Sequence, residues 1–414
     1  MGLVVQKFGG TSVGSTERIR KVADIVARTQ AEGNQVVVTV SAMGKTTDQL
    51  VSLANELTTK PPQREMDVLL TTGEQVSVAL LTMALMEKGL KARSMTGWQA
   101  GILTDKVHGK ARIEEIDTTR LRQSLENGEI VVVAGFQGVS SSGEITTLGR
   151  GGSDTTAVAL AGSLQADRCE IYTDVTGVFT TDPRVVPKAR KLAEISHEEM
   201  LELANLGAGV LHPRSVECAM THKVPLVVRS SFVEEEGTWV KEADKMEEER
   251  NVRGIAHDMQ VARIKVLGLP NNTESFTRLF GILAKKHINV DMIVQSEHED
   301  ERMDVAFSVH EDELDQAREA LQEHEEELGY IKVLSETNLA KVSAVGAGMV
   351  TNPGVAAKMF TTLSEAGVRI KMVSTSEIKI SCVVPKDQAA EAVRELHTAF
   401  DLDVKEPAKE KALV

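Results

Sequence analysis

A lysine, an arginine and an aspartate stand beside two glycine pairs in this chain, a combination suited to phosphate chemistry. Lys7 precedes Gly9 and Gly10 in KFGGTSV (7–13). Arg150 precedes Gly151 and Gly152 in GRGGSDTTA (149–157), and Ser153 and Asp154 follow at once. Glycine lets backbone amides come close to a ligand, and amides that open a helix attract anions. A lysine at such a place neutralises charge on a phosphoryl group in transfer. Arginine offers a bidentate grip on a carboxylate or phosphate. Asp154 suits a substrate ammonium or the organisation of the lysine, while Ser153 or Asp154 would also serve as a helix N-cap.

Three further stretches invite inspection. Glu74 falls in a helical pattern with Leu70, Thr71, Ser77 and Val78 as its neighbours, so it is either an exposed helix glutamate or a carboxylate for an ammonium. The loop from Thr173 and Asp174 to Asp182 and Arg184 joins a Gly turn, two aspartates and an arginine, which suits a nucleotide. His212, before Pro213, reads as a helix start, because phosphoryl transfer to a carboxylate needs no general base. Two familiar motifs fail. Gly44-Lys-Thr46 resembles the end of a P-loop, but position 39 is Thr where a Gly is required. Gly9, Gly10 and Gly14 do not have dinucleotide spacing, and the second strand runs into Ser41 rather than an acid.

The elements that must position these residues alternate. Short apolar runs at 3–5, 36–40, 130–134 and 169–173 read as strands, and 17–31, 48–57 and 64–88 carry helical spacing. Strand, glycine loop and helix in that order imply an α/β fold with a largely parallel sheet covered on both faces. Lys7, Ser41, Gly135 and Asp174 then share the carboxyl edge of the sheet, where ligands bind. Residues 233–258 are acidic and read as a linker. Beyond it the chain repeats: Phe280, Leu283 and Met292 match Phe360, Leu363 and Met372, each 80 residues on. Each copy, 259–335 and 336–408, reads as a ferredoxin-like βαββαβ unit.

Composition bounds the class. The chain has 414 residues, 42% hydrophobic and 26% charged, which suits two or more globular domains. A net charge of -14 with no basic run argues against nucleic acid. No apolar stretch looks long enough to span a bilayer, and the N-terminus lacks a secretory pattern. The three cysteines, Cys169, Cys218 and Cys382, form no metal or disulfide pattern. A cytoplasmic enzyme is expected.

Taken together, KFGGTSV, TTGEQ (71–75), GRGGSDTTA, YTDVTGVFTTDPR (172–184) and the repeated tail resemble the aspartate kinases of the amino acid kinase family, which end in tandem ACT domains. The resemblance covers essentially the whole chain. It implies an amino-acid-kinase-like sandwich at 1–232 and transfer of phosphate from ATP to the side-chain carboxylate of L-aspartate. The product, 4-phospho-L-aspartate, opens the route to lysine, threonine and methionine, and to diaminopimelate in bacteria. By similarity, Lys7 and Asp154 are catalytic, and Ser41, Thr47, Glu74, Arg150, Gly151, Gly152 and Ser153 hold aspartate. Lys7, Phe8, Gly9, Gly10, Ser153, Thr173, Asp174, Phe179, Asp182 and Arg184 form the nucleotide side. Mg²⁺ is expected on the phosphates, without a dedicated carboxylate cage.

Effector contacts fall by similarity on Asn289, Val290, Asp291 and Gln295, and on Thr375 and Ser376. Lysine is the favoured effector, since Asp291 and Glu377 suit a second ammonium; threonine, alone or with lysine, stays open. The chain departs from the family at Gly209, where many members carry lysine, and at Leu269-Pro-Asn-Asn-Thr273, where the second copy keeps Asn352-Pro-Gly354. At least a dimer is expected. Met246 is placed to serve as an internal start for a separate C-terminal subunit. An amino-acid sensor with an idle kinase domain would have no use for Lys7, Arg150 and Asp154 together, and glutamate kinases lack the tandem tail.

Overall fold

The computed structural model describes residues 2–243, 251–298, 301–349 and 352–404. Two compact units emerge. The first holds residues 2–178, 191–205 and 209–243; the second holds 179–190, 206–208 and the described residues from 251 on.

The first unit contains the strands β1 (Leu3–Phe8), β2 (Gln35–Val40), β3 (Ala92–Met95), β4 (Ile102–Thr104), β5 (Ile113–Ile116), β6 (Ile130–Ala134), β7 (Gln137–Ser140), β8 (Ile145–Thr147), β9 (Arg168–Thr173), β10 (Glu194–Ser196), β11 (Leu226–Ser230) and β12 (Thr238–Lys241). Its helices are α1 (Thr16–Ala31), α2 (Thr46–Leu57), α3 (Gln63–Glu87), α4 (Thr119–Glu126), α5 (Gly152–Leu164), α6 (His197–Asn205) and α7 (Pro213–His222). Eight strands form one sheet in the order β10-β12-β11-β9-β1-β2-β6-β3. From β11 to β3 the neighbours are parallel; β12 runs antiparallel to β11. The apolar faces of α1 and α3 meet Val36, Val38, Val40, Ile130 and Val132 in one buried core. α5 packs against β1, β2 and β9, and α7 packs against α5.

Sequence periodicity missed the second sheet of this unit, ordered β5-β4-β7-β8. Its strands are three or four residues long, too short for an alternating pattern to stand out. β12 is a correction to the expected acidic linker. Thr238 and Val240 are fully buried between glutamate-rich flanks, and Trp239 faces out. A second correction concerns membrane length. By length and composition α3 would span a bilayer. Here it lies beside the sheet and turns Asp67 and Glu74 inward with Leu81 and Leu85.

The second unit contains β13 (Gly254–Pro270), β14 (Ile293–Glu297), β15 (Arg302–His310), β16 (Lys332–Val345), β17 (Met372–Thr375) and β18 (Lys379–Pro385), with α8 (Thr273–Lys285), α9 (Leu314–Glu323), α10 (Glu325–Leu328), α11 (Val355–Glu365) and α12 (Ala389–Ala399). The repeat forms not two sheets but one, ordered β14-β15-β13-β16-β18-β17. The first copy closes as βαββαβ, because 332–336 of β16 return beside 263–267 of β13. The second copy differs. Its fourth position is filled by 254–258 of β13, paired with 341–345 of β16. Those five residues fall in the expected linker. Met246 lies outside the described residues.

The short segment Phe179–Arg190 is built into this unit. Val186 joins the core of the second copy with Ile255, Met359 and Leu396. Thr180 Oγ1 lies 2.9 Å from Nε2 of His397, and Nε of Arg190 donates to the carbonyl of Leu402 at 2.8 Å.

Candidate active site

Alternation along β1 sends Lys7 and Phe8 to opposite faces. Lys7 points toward α5, where its Nζ lies 2.6 Å from Oδ1 of Asp154. Asp154 stands in the first turn of α5, where a carboxylate also favours the helix dipole. The N-cap is neither Ser153 nor Asp154 but Gly151, in the left-handed region at φ 71°. A Cβ on Gly151 would meet the ring of His212 at 2.1 Å, so the turn needs glycine twice over. His212 is the extended residue before α7, as expected, and its imidazole also backs this turn. Burial holds it below its ordinary pKa and therefore neutral at pH 7.

Opposite the α5 turn, two glycine loops touch. Gly44 N donates to Gly10 O at 2.9 Å, and Ser41 N donates to Phe8 O at 3.1 Å. A Cβ on Gly10 would lie 2.9 Å from the carbonyl of Ala42. Gly73 lets α3 approach Ala42 equally closely, and this brings in Glu74. Glu74 is only 4% exposed. Its Oε1 accepts from Ala42 N at 3.2 Å, while its buried Oε2 has no donor among the described residues. Desolvation pushes its pKa up to about 7, against the opposing pull of its backbone hydrogen bonds. The reading of Glu74 as an exposed helix residue is thus set aside.

A cleft of about 310 Å³ gathers these groups. Lys7, Gly10, Ser41, Thr47, Glu74, Arg150, Gly151, Gly152, Ser153 and Asp154 all line it. Arg150 is exposed and has no carboxylate partner among the described residues. Gly9 sits beside the lysine: a Cβ there would be 3.4 Å from Lys7 Nζ. Thr173 ends β9, the strand next to β1, and Asp174 follows it, so both stand beside Gly9; Thr173 Oγ1 donates to Asp174 at 3.1 Å.

Other expected residues fall elsewhere. Phe8 is fully buried on the opposite face, stacked on Tyr172 at 4.6 Å, so its ring cannot touch a nucleotide. Phe179, Asp182 and Arg184 belong to the second unit. There the Arg184 guanidinium holds the Asp182 carboxyl below its usual range. Gly209 is exposed, with open space where a side chain would start. Among the effector candidates, Asp291 is already engaged by the ammonium of nearly buried Lys341. Gln295 and Thr375 lie on β14 and β17, the two outer strands of the sheet. Asn289 N donates to Glu313, and Ser376 N donates to Lys379 O. Val290 packs at the edge of the first copy's core.

Phe136 was not anticipated. It lines the cleft with φ 69°, a conformation held by its N–H on Thr156 Oγ1 and its carbonyl on Leu148 N. Its only sequence signal was the strand end at Ala134. No group of three or more metal-ligating side chains occurs among the described residues. The cleft carboxylates are Glu74 and the lysine-bound Asp154, so a divalent cation here would ride on nucleotide phosphates and water.

Comparison with known proteins agrees with the fold described above. The model of the amino acid kinase family matches residues 2–230, and ACT domain models match 266–326 and 342–400. An aspartokinase of Bacillus sp. (strain MGA3) is 58% identical over 402 residues, 97% of this chain and 98% of the relative. The structure of E. coli aspartokinase III with aspartate and ADP, in the R-state, superposes with a TM-score of 0.82. It shares 29% identity and covers 96% of this chain and 99% of its own. The same enzyme with lysine and aspartate, in the T-state, gives a TM-score of 0.76 at the same identity and with the same shares covered.

Proposed function

The chain belongs to the amino acid kinase family, among its aspartokinases, and we propose that Lys7 and the α5 turn pass the γ-phosphoryl group of ATP to the β-carboxylate of L-aspartate. The observation that carries this reading is the meeting of Lys7–Asp154 and Glu74 in one cleft. Phosphoryl transfer requires little covalent work from the protein and much placed positive charge. Lys7 supplies such charge, and Asp154 holds its ammonium in place. The amide of Gly10 and those of the opening turn of α5 face the phosphates, while Gly9 keeps the loop close to Lys7. Thr173 and Asp174 stand on the nucleotide side. Mg²⁺ supplies further charge neutralisation on the phosphates when bound.

Glu74 takes the substrate ammonium with its unpartnered oxygen, which restores the charged state that burial disfavours. Arg150 takes the α-carboxylate, with Ser41, Thr47 and Ser153 beside it. ADP release with L-aspartate and MgATP tests the assignment; absence of aspartate-dependent turnover would remove it. We place the enzyme in the cytoplasm, at the head of lysine, threonine, methionine and diaminopimelate synthesis.

The second unit is read as the regulatory part. Lysine is the proposed effector; threonine, alone or with lysine, is the alternative. One supporting point is the likeness to aspartokinase III, whose T-state complex holds lysine. Asn289 to Gln295 and Thr375–Ser376 border opposite edges of one sheet, so a pocket using both sets joins two chains. This calls for a homo-oligomer, or an assembly with a C-terminal polypeptide started at Met246. Turnover measured with and without lysine and threonine separates the regulatory claim from the catalytic one.

A further inference from the structure

α3 carries a second inward carboxylate, Asp67, only 1% exposed and two turns before Glu74 on the same face. Asp67 does not border the cleft. Its oxygens are taken instead by two segments that lead to the Arg150 turn. Thr147 Oγ1 donates to Oδ1 at 2.5 Å, and Gly109 N donates to Oδ1 at 3.0 Å. Nδ1 of His108 lies 2.7 Å from Oδ2. Thr147 is the last residue of β8, two before Gly149. Gly109 abuts that glycine: a Cβ on Gly149 would be 2.9 Å from Gly109 O. Ala111 N donates to Thr147 O at 2.9 Å, tying the two segments together. Arg214 then closes the far side, donating to Leu148 O at 2.5 Å and Ala111 O at 3.0 Å.

A carboxylate buried this deeply is costly unless hydrogen bonds compensate it. Charge-assisted bonds are shorter and stiffer than neutral ones, which suits a fixed spacer. The helix itself is the rigid part. Seven residues at 1.5 Å each separate Asp67 from Glu74 by about 10 Å. We propose that Asp67, with His108, is a positioning residue that sets the span between Glu74 and the Lys7–Asp154 pair at the opening of α5, and so selects L-aspartate over L-glutamate, whose reacting carboxylate lies one methylene further from its ammonium. This rests on the reading that Glu74 holds the substrate ammonium while Lys7 and the α5 turn pass phosphate to its β-carboxylate. One methylene is a small difference, worth about 10- to 200-fold in discrimination, and a misplacement of about 1 Å removes such an advantage.

The test is steady-state kinetics of the full-length enzyme with L-aspartate and MgATP, and with L-glutamate as substrate or, if not turned over, as competitor. Asp67→Ala raises KM for aspartate about tenfold or more, in line with a site loosened by about 1 Å, and leaves KM for ATP within about twofold. The preference for aspartate over glutamate narrows in the same variant. Thr147→Val removes one bond only and moves both readings the same way by less; it serves if Asp67→Ala does not fold. Asp67→Asn keeps an acceptor oxygen and restores part of the preference. An unchanged aspartate-to-glutamate ratio in the folded variants overturns the proposal, even if melting temperature drops. Lack of aspartate turnover by the wild-type enzyme would instead overturn the underlying substrate reading.

Discussion

The ammonium of Lys7 and the carboxylate of Asp154 are 2.6 Å apart, joined across the gap between the first strand and the α5 turn. Neither group is well exposed, so the pair holds its geometry before any ligand arrives. Lys7→Ala is expected to lower kcat by about 10² to 10³, as for loss of one preorganised transition-state donor. Nucleotide affinity falls much less, because the lysine acts on charge that develops during transfer. Calorimetric titration with MgADP beside initial-rate kinetics separates the two. Equal losses in binding and turnover would contradict the role.

Glu74 predicts a pH dependence. Its pKa is raised to about 7, so the free enzyme is mixed in charge near neutrality. Only the ionised form pairs with the substrate ammonium. Then kcat/KM for aspartate rises between pH 6 and 8 and levels off above. Glu74→Gln flattens that rise and weakens aspartate binding. Stability moves the other way. A carboxyl with a raised folded pKa contributes fully below its unfolded pKa of 4.5, and the contribution is lost as pH rises through about 7. The cost at pH 8 is at most roughly 3 kcal/mol. Glu74→Gln therefore melts higher than wild type at pH 8, the gap closing toward pH 5. A constant gap would rule out titration as its source.

Gly151 predicts an epistatic pair. Any side chain there meets both a left-handed backbone and the His212 ring. Gly151→Ala is expected to cost at least about 1–2 kcal/mol from backbone strain alone and to abolish most turnover. Adding His212→Gly relieves the clash but not the strain, so stability recovers in part. Strictly additive melting temperatures would show that the ring does not limit this position.

How legible was all this beforehand? Lys7, Arg150 and Asp154 stood out because glycines flank them, and the strands beneath are continuous valine runs. Glu74 gave no sign of its burial, since Gly73 and Ala42 create that environment from separate segments. The Asp67–His108 contact spans 41 residues, and no local pattern encodes it. Phe8 was assigned to the nucleotide by family resemblance along with Lys7, yet one step along a strand reverses the side chain. β12 hid among glutamates because only two of its four residues face inward.

Gly209 offers a gain-of-function prediction. Open space surrounds the position where its Cβ would start. Gly209→Lys, which supplies the lysine expected from the resemblance, should fold normally and lower KM for ATP by several-fold, about the gain from one charge-assisted phosphate contact. An unchanged KM would show that this chain meets the phosphates by another route.

Asp291 and Lys341 bear on effector binding. Lys341 is 6% exposed and uses Asp291 as its carboxylate partner. Asp291→Ala leaves the nearly buried Lys341 ammonium without its half-exposed partner, a loss of about 1 kcal/mol, and Asp291→Ala with Lys341→Met recovers most of it. If lysine inhibits through Asp291, both variants lose inhibition at unchanged basal turnover, although only the first is unstable. Inhibition retained by the double variant would move the effector's ammonium elsewhere.

The five residues 254–258 lend the second ACT copy its last strand from in front of the first. The two copies are therefore spliced rather than strung like beads, and a cut between them takes from the second its fourth strand. A transplant of this ACT pair into another enzyme has to carry both copies together with that upstream stretch. A fragment begun at Met246 would include it; one begun at residue 259 would leave an open flank prone to aggregation.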